Sequence, residues 1–247
     1  MRVFYLSRDM LKTLVIGLLL LLAALVAIGL YNNQETFVVT KANSPYYQGT
    51  TDQKNIAYTF NVDWGEEYLP DLLKVLDENK IKATFFITGR WAKGHPDLLK
   101  EIAAKGHEIG NHGELHRHVK GIDPGTVEKE ISGGEVILKG ITGKKPALYA
   151  PAYGEFDKNI GEVANRLNYK VVMWSLDTID WQNPDVATIV RRVVPRIHND
   201  AIILMHPTKP TIEALKGMTK QLKDEGYSFL TVSKLINPES KEIKNKK

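Results

Sequence analysis

The chain contains no cysteine. That excludes a disulfide framework, a thiolate metal site and a cysteine nucleophile, so any metal ion must be held by His, Asp or Glu. An excess of one charge is also missing from its interior. The net charge of +4 comes from the two ends, where Arg2, Arg8 and Lys12 stand against Asp9, and Lys241, Lys244, Lys246 and Lys247 against Glu239 and Glu242. Between them 26 basic and 26 acidic side chains balance. A neutral middle suits a nucleic-acid duplex poorly, since a duplex needs many phosphate-neutralising cations, and no such partner is expected. No internal repeat of solenoid period is present. With 43% apolar and 25% charged residues over 247 positions, the composition is that of a globular protein.

Charge disappears altogether from Thr13 to Leu30, eighteen residues. As a helix this run is about 27 Å long, close to the ~30 Å hydrocarbon core of a bilayer. Basic residues precede it and none follows until Lys41. The positive-inside tendency therefore keeps the N-terminus in the cytoplasm and exports the rest. A cleaved signal peptide, with Ala27-Ile28-Gly29 as its small-residue site, is the competing reading. The apolar run exceeds the usual ~7–15 residues of a signal core, which favours a retained anchor. The expected layout is a cytoplasmic stub (1–12), a membrane anchor or signal peptide (13–31), a linker (32–52), one domain (53–236) and a basic tail (237–247).

Within the domain, short apolar runs alternate with amphipathic stretches. Strands are expected at Ile56–Val62, Ala83–Thr88, Glu108–Gly110, Ala147–Ala150, Lys170–Trp174, Ala201–Met205 and Ser228–Thr231. Helices are expected at Leu69–Asn79, Pro96–Lys105, Val127–Gly140, Lys158–Leu167, Asp185–Val194 and Thr211–Glu225, with Gly106 and Gly226 as stops. Seven strands alternating with helices point to an α/β fold with a parallel sheet, open or closed into a barrel. Either form places ligands at the carboxyl ends of its strands.

Those ends are rich in polar groups. Asn61 and Asp63 are two apart and share a face at the end of the first strand. The third strand runs into Asn111-His112-Gly113-Glu114-Leu115-His116. Two His at i and i+4 project together from a helical turn, a spacing suited to one metal ion, and a nearby Asp adds a third ligand. His118 and His198 read as ordinary surface or core histidines. Tight turns follow at Ala150-Pro151-Ala152-Tyr153-Gly154, Asp177-Thr178-Ile179-Asp180-Trp181 and Leu204-Met205-His206-Pro207.

Together these segments resemble the polysaccharide deacetylases, carbohydrate esterase family four, over about Ile56 to Leu235. The resemblance rests on His112–His116, Asp177-x-x-Asp180-Trp181 and Leu204-x-His206 in this order. It implies a distorted seven-stranded β/α barrel that removes acetyl groups from N-acetylated glycans such as chitin or peptidoglycan. It further implies a divalent metal on Asp63, His112 and His116, with zinc expected before cobalt or nickel. His206 would be the general acid and Asp180 would orient it. Trp181 and Leu204 would line the substrate groove, and the Tyr153 amide would hold the oxyanion. A metal there polarises the acetyl carbonyl and acidifies water.

Two departures stand out. The family's first motif usually reads T-F-D-D-G, with its first Asp as general base; here Asn61 stands in that place, and an amide cannot take a proton. Its usual Arg partner is replaced by Ala150. Asp63, Glu66 or the metal site alone remain as substitutes for the base. Three functions are therefore open: a slow deacetylase, a wall-binding module without turnover, and a related hydrolase of small amides.

Overall fold

The computed structural model describes residues 44–237, together with the isolated helical positions Asp9, Gly17 and Leu21. The chain divides into a unit of residues 1–39 and a unit of residues 40–247. The expected stub and anchor (1–31) lie outside the described residues, those three positions aside. Most of the basic tail lies outside them too. Among the described residues no helix is long and apolar enough to cross a membrane.

The larger unit carries eight described strands, β1 (Asn55–Val62), β2 (Thr84–Ile87), β3 (Glu108–Asn111), β4 (Leu148–Tyr149), β5 (Lys170–Val171), β6 (Leu176–Asp177), β7 (Ile202–Met205) and β8 (Ser228–Phe229). Every ladder is parallel, in the order β5-β4-β3-β2-β1-β7-β6, with β8 against the start of β1. Eight helices flank them, α1 (Leu69–Glu78), α2 (Gly89–Gly94), α3 (Pro96–Ala104), α4 (Pro124–Thr142), α5 (Lys158–Arg166), α6 (Val186–Val193), α7 (Lys209–Asp224) and α8 (Val232–Ile236). The side chains of Asp123, Asp157, Asp185 and Thr208 accept from the opening amides of α4, α5, α6 and α7, which sets where these helices begin.

All seven expected strands are present, several of them trimmed. The run expected at Lys170–Trp174 narrows to Lys170–Val171, and β6 is an eighth strand that alternation did not predict because it is two residues long. The sheet is a curled half-barrel, not a closed one: β5 and β6 end the hydrogen-bonded path without pairing to each other. The chain before β1 stitches this seam. Tyr46 bridges to Val172 and Gln48 to Ala201, and the amides of Gly49 and Thr50 donate to Asp200 and Leu235. The linker expected over 32–52 is therefore part of the domain from about residue 46, fixed by backbone pairing that apolar periodicity does not reveal.

The period of two in β1 sorts its side chains. Ile56, Tyr58, Phe60 and Val62 join the main core beneath α1 and α7, while Ala57 faces the barrel interior with Phe86, Val172 and Ile202. Helix α8 lays Val232, Leu235 and Ile236 against this interior cluster. The same alternation carries Asn61 to the inner face at the open, carboxyl end of the strand.

Candidate active site

A cavity of about 390 Å³ opens at the carboxyl ends of the strands. Eight of the nine expected site residues line it: Asn61, Asp63, His112, His116, Tyr153, Trp181, Leu204 and His206. The ninth, Asp180, is fully buried behind His206. Its Oδ1 lies 2.8 Å from His206 Nδ1, and its Oδ2 accepts from the His206 amide at 2.7 Å and from Thr211 Oγ1 at 2.5 Å. A carboxylate only accepts, so the proton sits on Nδ1 and Nε2 is left for the cavity. The turn before Asp180 is held by Arg192, which donates to the carbonyls of Thr178 and Ile179. Ile179 there has φ +50, costly for a β-branched residue and tolerated only because its surroundings dictate the turn.

The two histidines do not project from a helical turn. Residues 112–119 form an irregular loop with positive φ at Gly113 and His116, so the i, i+4 spacing of a helical turn is not what brings the two rings together. The loop is fixed by Glu130 of α4, whose Oε1 accepts from the amides of Leu115 and Arg117. It brings the two imidazoles to 4.9 Å between ring centres. His112 donates from Nδ1 to the carbonyl of Ala150 at 2.7 Å, which leaves Nε2 as an acceptor. Burial, with His116 adding to it, pushes the His112 imidazole down to about 3, and burial also lowers His116. Both are neutral imidazoles at neutral pH.

Asp63 is differently engaged. Its Oδ1 accepts from Thr88 Oγ1 at 2.7 Å and from Arg90 Nε at 2.6 Å, and its Oδ2 accepts from Arg90 Nη2. Burial raises this carboxyl, but Arg90, Thr88 and His116 outweigh it and hold the group below the ordinary carboxylate range. The two imidazoles suit a divalent ion by the tautomer of one and the neutrality of both. The three-ligand set as a whole does not fit one, because a guanidinium already claims both oxygens of the third ligand. His116 Nδ1 stands 3.8 Å from Asp63 Oδ2. Among the described residues no group of three or more His, Cys, Asp or Glu is arranged to hold a metal ion.

Sequence reasoning missed four neighbours. Trp64 lies parallel to the His206 ring, 5.8 Å away. Trp174 closes on Gly154, where a Cβ would fall 2.4 Å from the indole, so only glycine admits it. Asp177 lines the cavity, and burial, with Asp180 nearby, raises its carboxyl. Arg90 lies three residues past the end of β2, in the first turn of α2. His118 is more than a surface residue: it stacks on Tyr153 at 3.9 Å and meets Glu155 at 2.8 Å. Tyr153, with φ +59, is thereby clasped between His116 and His118. Glu66 turns to Trp91 and His95, away from the cavity lining.

The polysaccharide deacetylase pattern matches residues 48–172. A peptidoglycan-N-acetylglucosamine deacetylase of Bacillus cereus is 32% identical over 80% of this chain and 74% of its own length. The chain belongs to the polysaccharide deacetylase family. YlxY of Bacillus subtilis is 40% identical over 78% of the chain, which spans 60% of that protein. Among solved structures, BA3943 of Bacillus anthracis, described as a CE4 family pseudoenzyme, superposes with a TM-score of 0.76 at 35% identity, covering 78% of this chain and 69% of that one. A mutant of BA3943 is described as having restored enzymatic activity. The curled parallel half-barrel is thus that of a family whose members include both deacetylases and a pseudoenzyme.

Proposed function

We propose that this domain works outside the cytoplasm, held to the membrane through residues 13–31. There it takes an N-acetylated amino-sugar unit of a wall polymer, peptidoglycan or a chitin-like chain, into the cavity and hydrolyses its acetamide slowly. The observation that carries this reading is the His206–Asp180 pair facing the His112 and His116 imidazoles across a cavity walled by three of the chain's four tryptophans.

In this reading Trp181, half exposed at the rim, and Tyr153 stack on sugar rings, and Leu204 lies beside the acetyl methyl. The attacking water's proton passes to His206 Nε2, and His206 then gives it to the departing amine as general acid, with Asp180 stabilising the imidazolium in between. The Tyr153 amide donates to the developing oxyanion. Asn61 orients water without taking its proton, which makes the reaction slow. The zinc, cobalt or nickel ion that the resemblance implies has no place in the reading while Arg90 holds Asp63.

The test is acetate release from chitooligosaccharides and from N-acetylated peptidoglycan. The full chain in detergent should release acetate, and His206→Ala should abolish that release. No release from either glycan would contradict the proposal. A second reading, a glycan-binding module without turnover, is favoured by Asn61, by Ala150 and by the likeness to BA3943. Saturable glycan binding unchanged by His206→Ala, with no acetate formed, would select it.

A further inference from the structure

We propose that Arg90 is the resident cation of this site, a side-chain gate that occupies Asp63 in place of a divalent ion and keeps metal off the His112–His116 pair. The inference rests on reading the cavity as the family's active site, and it concerns how that site is regulated.

Three observations carry it. First, the contact is a fork. Nε takes one oxygen of Asp63 and Nη2 the other, while Thr88 Oγ1 adds a bond to Oδ1. A bidentate guanidinium–carboxylate pair is among the strongest polar contacts a protein makes, and it leaves few lone pairs for a metal. Second, the gate is placed by the same loop that carries the histidines. The Gly89 amide donates to the Gly113 carbonyl at 2.8 Å and the Arg90 amide to the Glu114 carbonyl at 2.7 Å. A Cβ at Gly89 would meet the Ile137 δ-methyl at 2.6 Å and the Glu114 Cα at 3.2 Å, so α2 docks closely on the loop and on α4. Arg90 is thus registered to His112 and His116 by backbone contacts.

Third, burial is unequal. The Asp63 side chain is 8% exposed, whereas that of Arg90 is 50% exposed. A nearly buried carboxylate must have a cation beside it, since an unpaired one would carry the full desolvation penalty. A half-exposed guanidinium can leave for water at much lower cost. The geometry therefore allows exchange of one cation for another at Asp63. A divalent ion arriving while Arg90 is in place meets a like charge within a few ångströms and a carboxylate already neutralised.

The test is metal affinity, read without any glycan. The full chain in detergent, stripped with chelator, is titrated with cobalt(II) and zinc(II) by calorimetry, and the visible d–d bands of cobalt are recorded. Arg90→Gln should bind cobalt at least about tenfold more tightly than the wild type, with the strong bands of a low-coordinate site. Adding Asp63→Asn to that variant should remove the gain. Arg90→Lys should gain about threefold, since an ammonium cannot span both oxygens; it carries the test if the glutamine variant does not fold. Equal affinities in wild type and both Arg90 variants would overturn the inference, as would cobalt failing to bind to either variant. If affinity rises on Arg90→Gln while no variant releases acetate, the deacetylase reading fails and the gate stands. If acetate is released with metal affinity unchanged by Arg90, the gate fails and the deacetylase reading stands.

Discussion

At the scale of single residues, the proposed reading gives the site an intact proton donor and an altered water-activating side. Asp180 is buried and triply engaged, by the His206 imidazole, the His206 amide and Thr211, so it cannot turn away. Asp180→Asn would leave the cavity in place but free Nδ1 to lose its proton. We expect acetate release to fall by about 10²–10⁴-fold, the usual contribution of a positioned acid. On the other side, Asn61 and Ala150 stand where the resemblance implies a charged pair, and with both positions uncharged no lone buried charge is left behind. Asn61→Asp with Ala150→Arg should raise turnover by about 10²–10⁴-fold if base catalysis is what is missing. Turnover of the double variant at the wild-type level would show that the base is not the limit. These residues were legible because they belong to motifs of fixed spacing. Arg90 was not: nothing in a lone arginine after an apolar strand announces that it will close on a carboxylate 27 positions earlier.

At the scale of elements, the strands came through more clearly than their connections. The spacing of Asn61 and Asp63 predicts a shared face at the end of the first strand, and both side chains line the cavity. Helices α2 and α8, of six and five residues, lacked enough length for an apolar period to show. The His112–His116 segment is a loop and not the helical turn its spacing suggests, since spacing alone cannot tell a turn from a loop closed by side chains. What closes it is α4. Gly134 of that helix lies so close that a Cβ would stand 2.4 Å from Asn111 Oδ1 and 2.9 Å from the Gly113 backbone. Gly134→Ala should therefore cost about 1–3 kcal/mol by overpacking, despite alanine's better helix propensity. Urea unfolding measures the loss. An unchanged midpoint would mean that α4 does not press on this loop.

At the scale of the whole molecule, the half-barrel is built around a neutral interior that acid should disturb. His107 packs on Phe85, accepts from the Ala83 amide at 3.1 Å through Nδ1, and is held down to about 4 by burial, aided by Lys82. Its folded pKa lies below the ~6.5 of an unfolded histidine. The unfolded chain therefore binds the extra proton first. Its contribution to stability is present above pH ~6.5 and is lost progressively as pH falls toward 4, by about 1–2 kcal/mol at pH 5. Unfolding midpoints at pH 7 and pH 5 should show this fall, and His107→Gln should flatten it; an equal slope in the variant would contradict the assignment. The parallel sheet was readable from seven apolar runs. The open seam and its stitching by Tyr46 and Gln48 were not, because two isolated backbone bridges leave no pattern in side-chain polarity.

The deacetylase and binding-module readings share one requirement: an N-acetylated sugar chain must enter the cavity at the strand ends. Trp64, Trp174 and Trp181 line that cavity and Trp91 is the only other tryptophan, so indole emission reports on it. Titrating the full chain with an N-acetylglucosamine oligomer should give a saturable change in emission, retained in His206→Ala and strongly weakened in Trp181→Ala. No change at any concentration, or a change indifferent to Trp181, would place the sugar elsewhere and contradict the account.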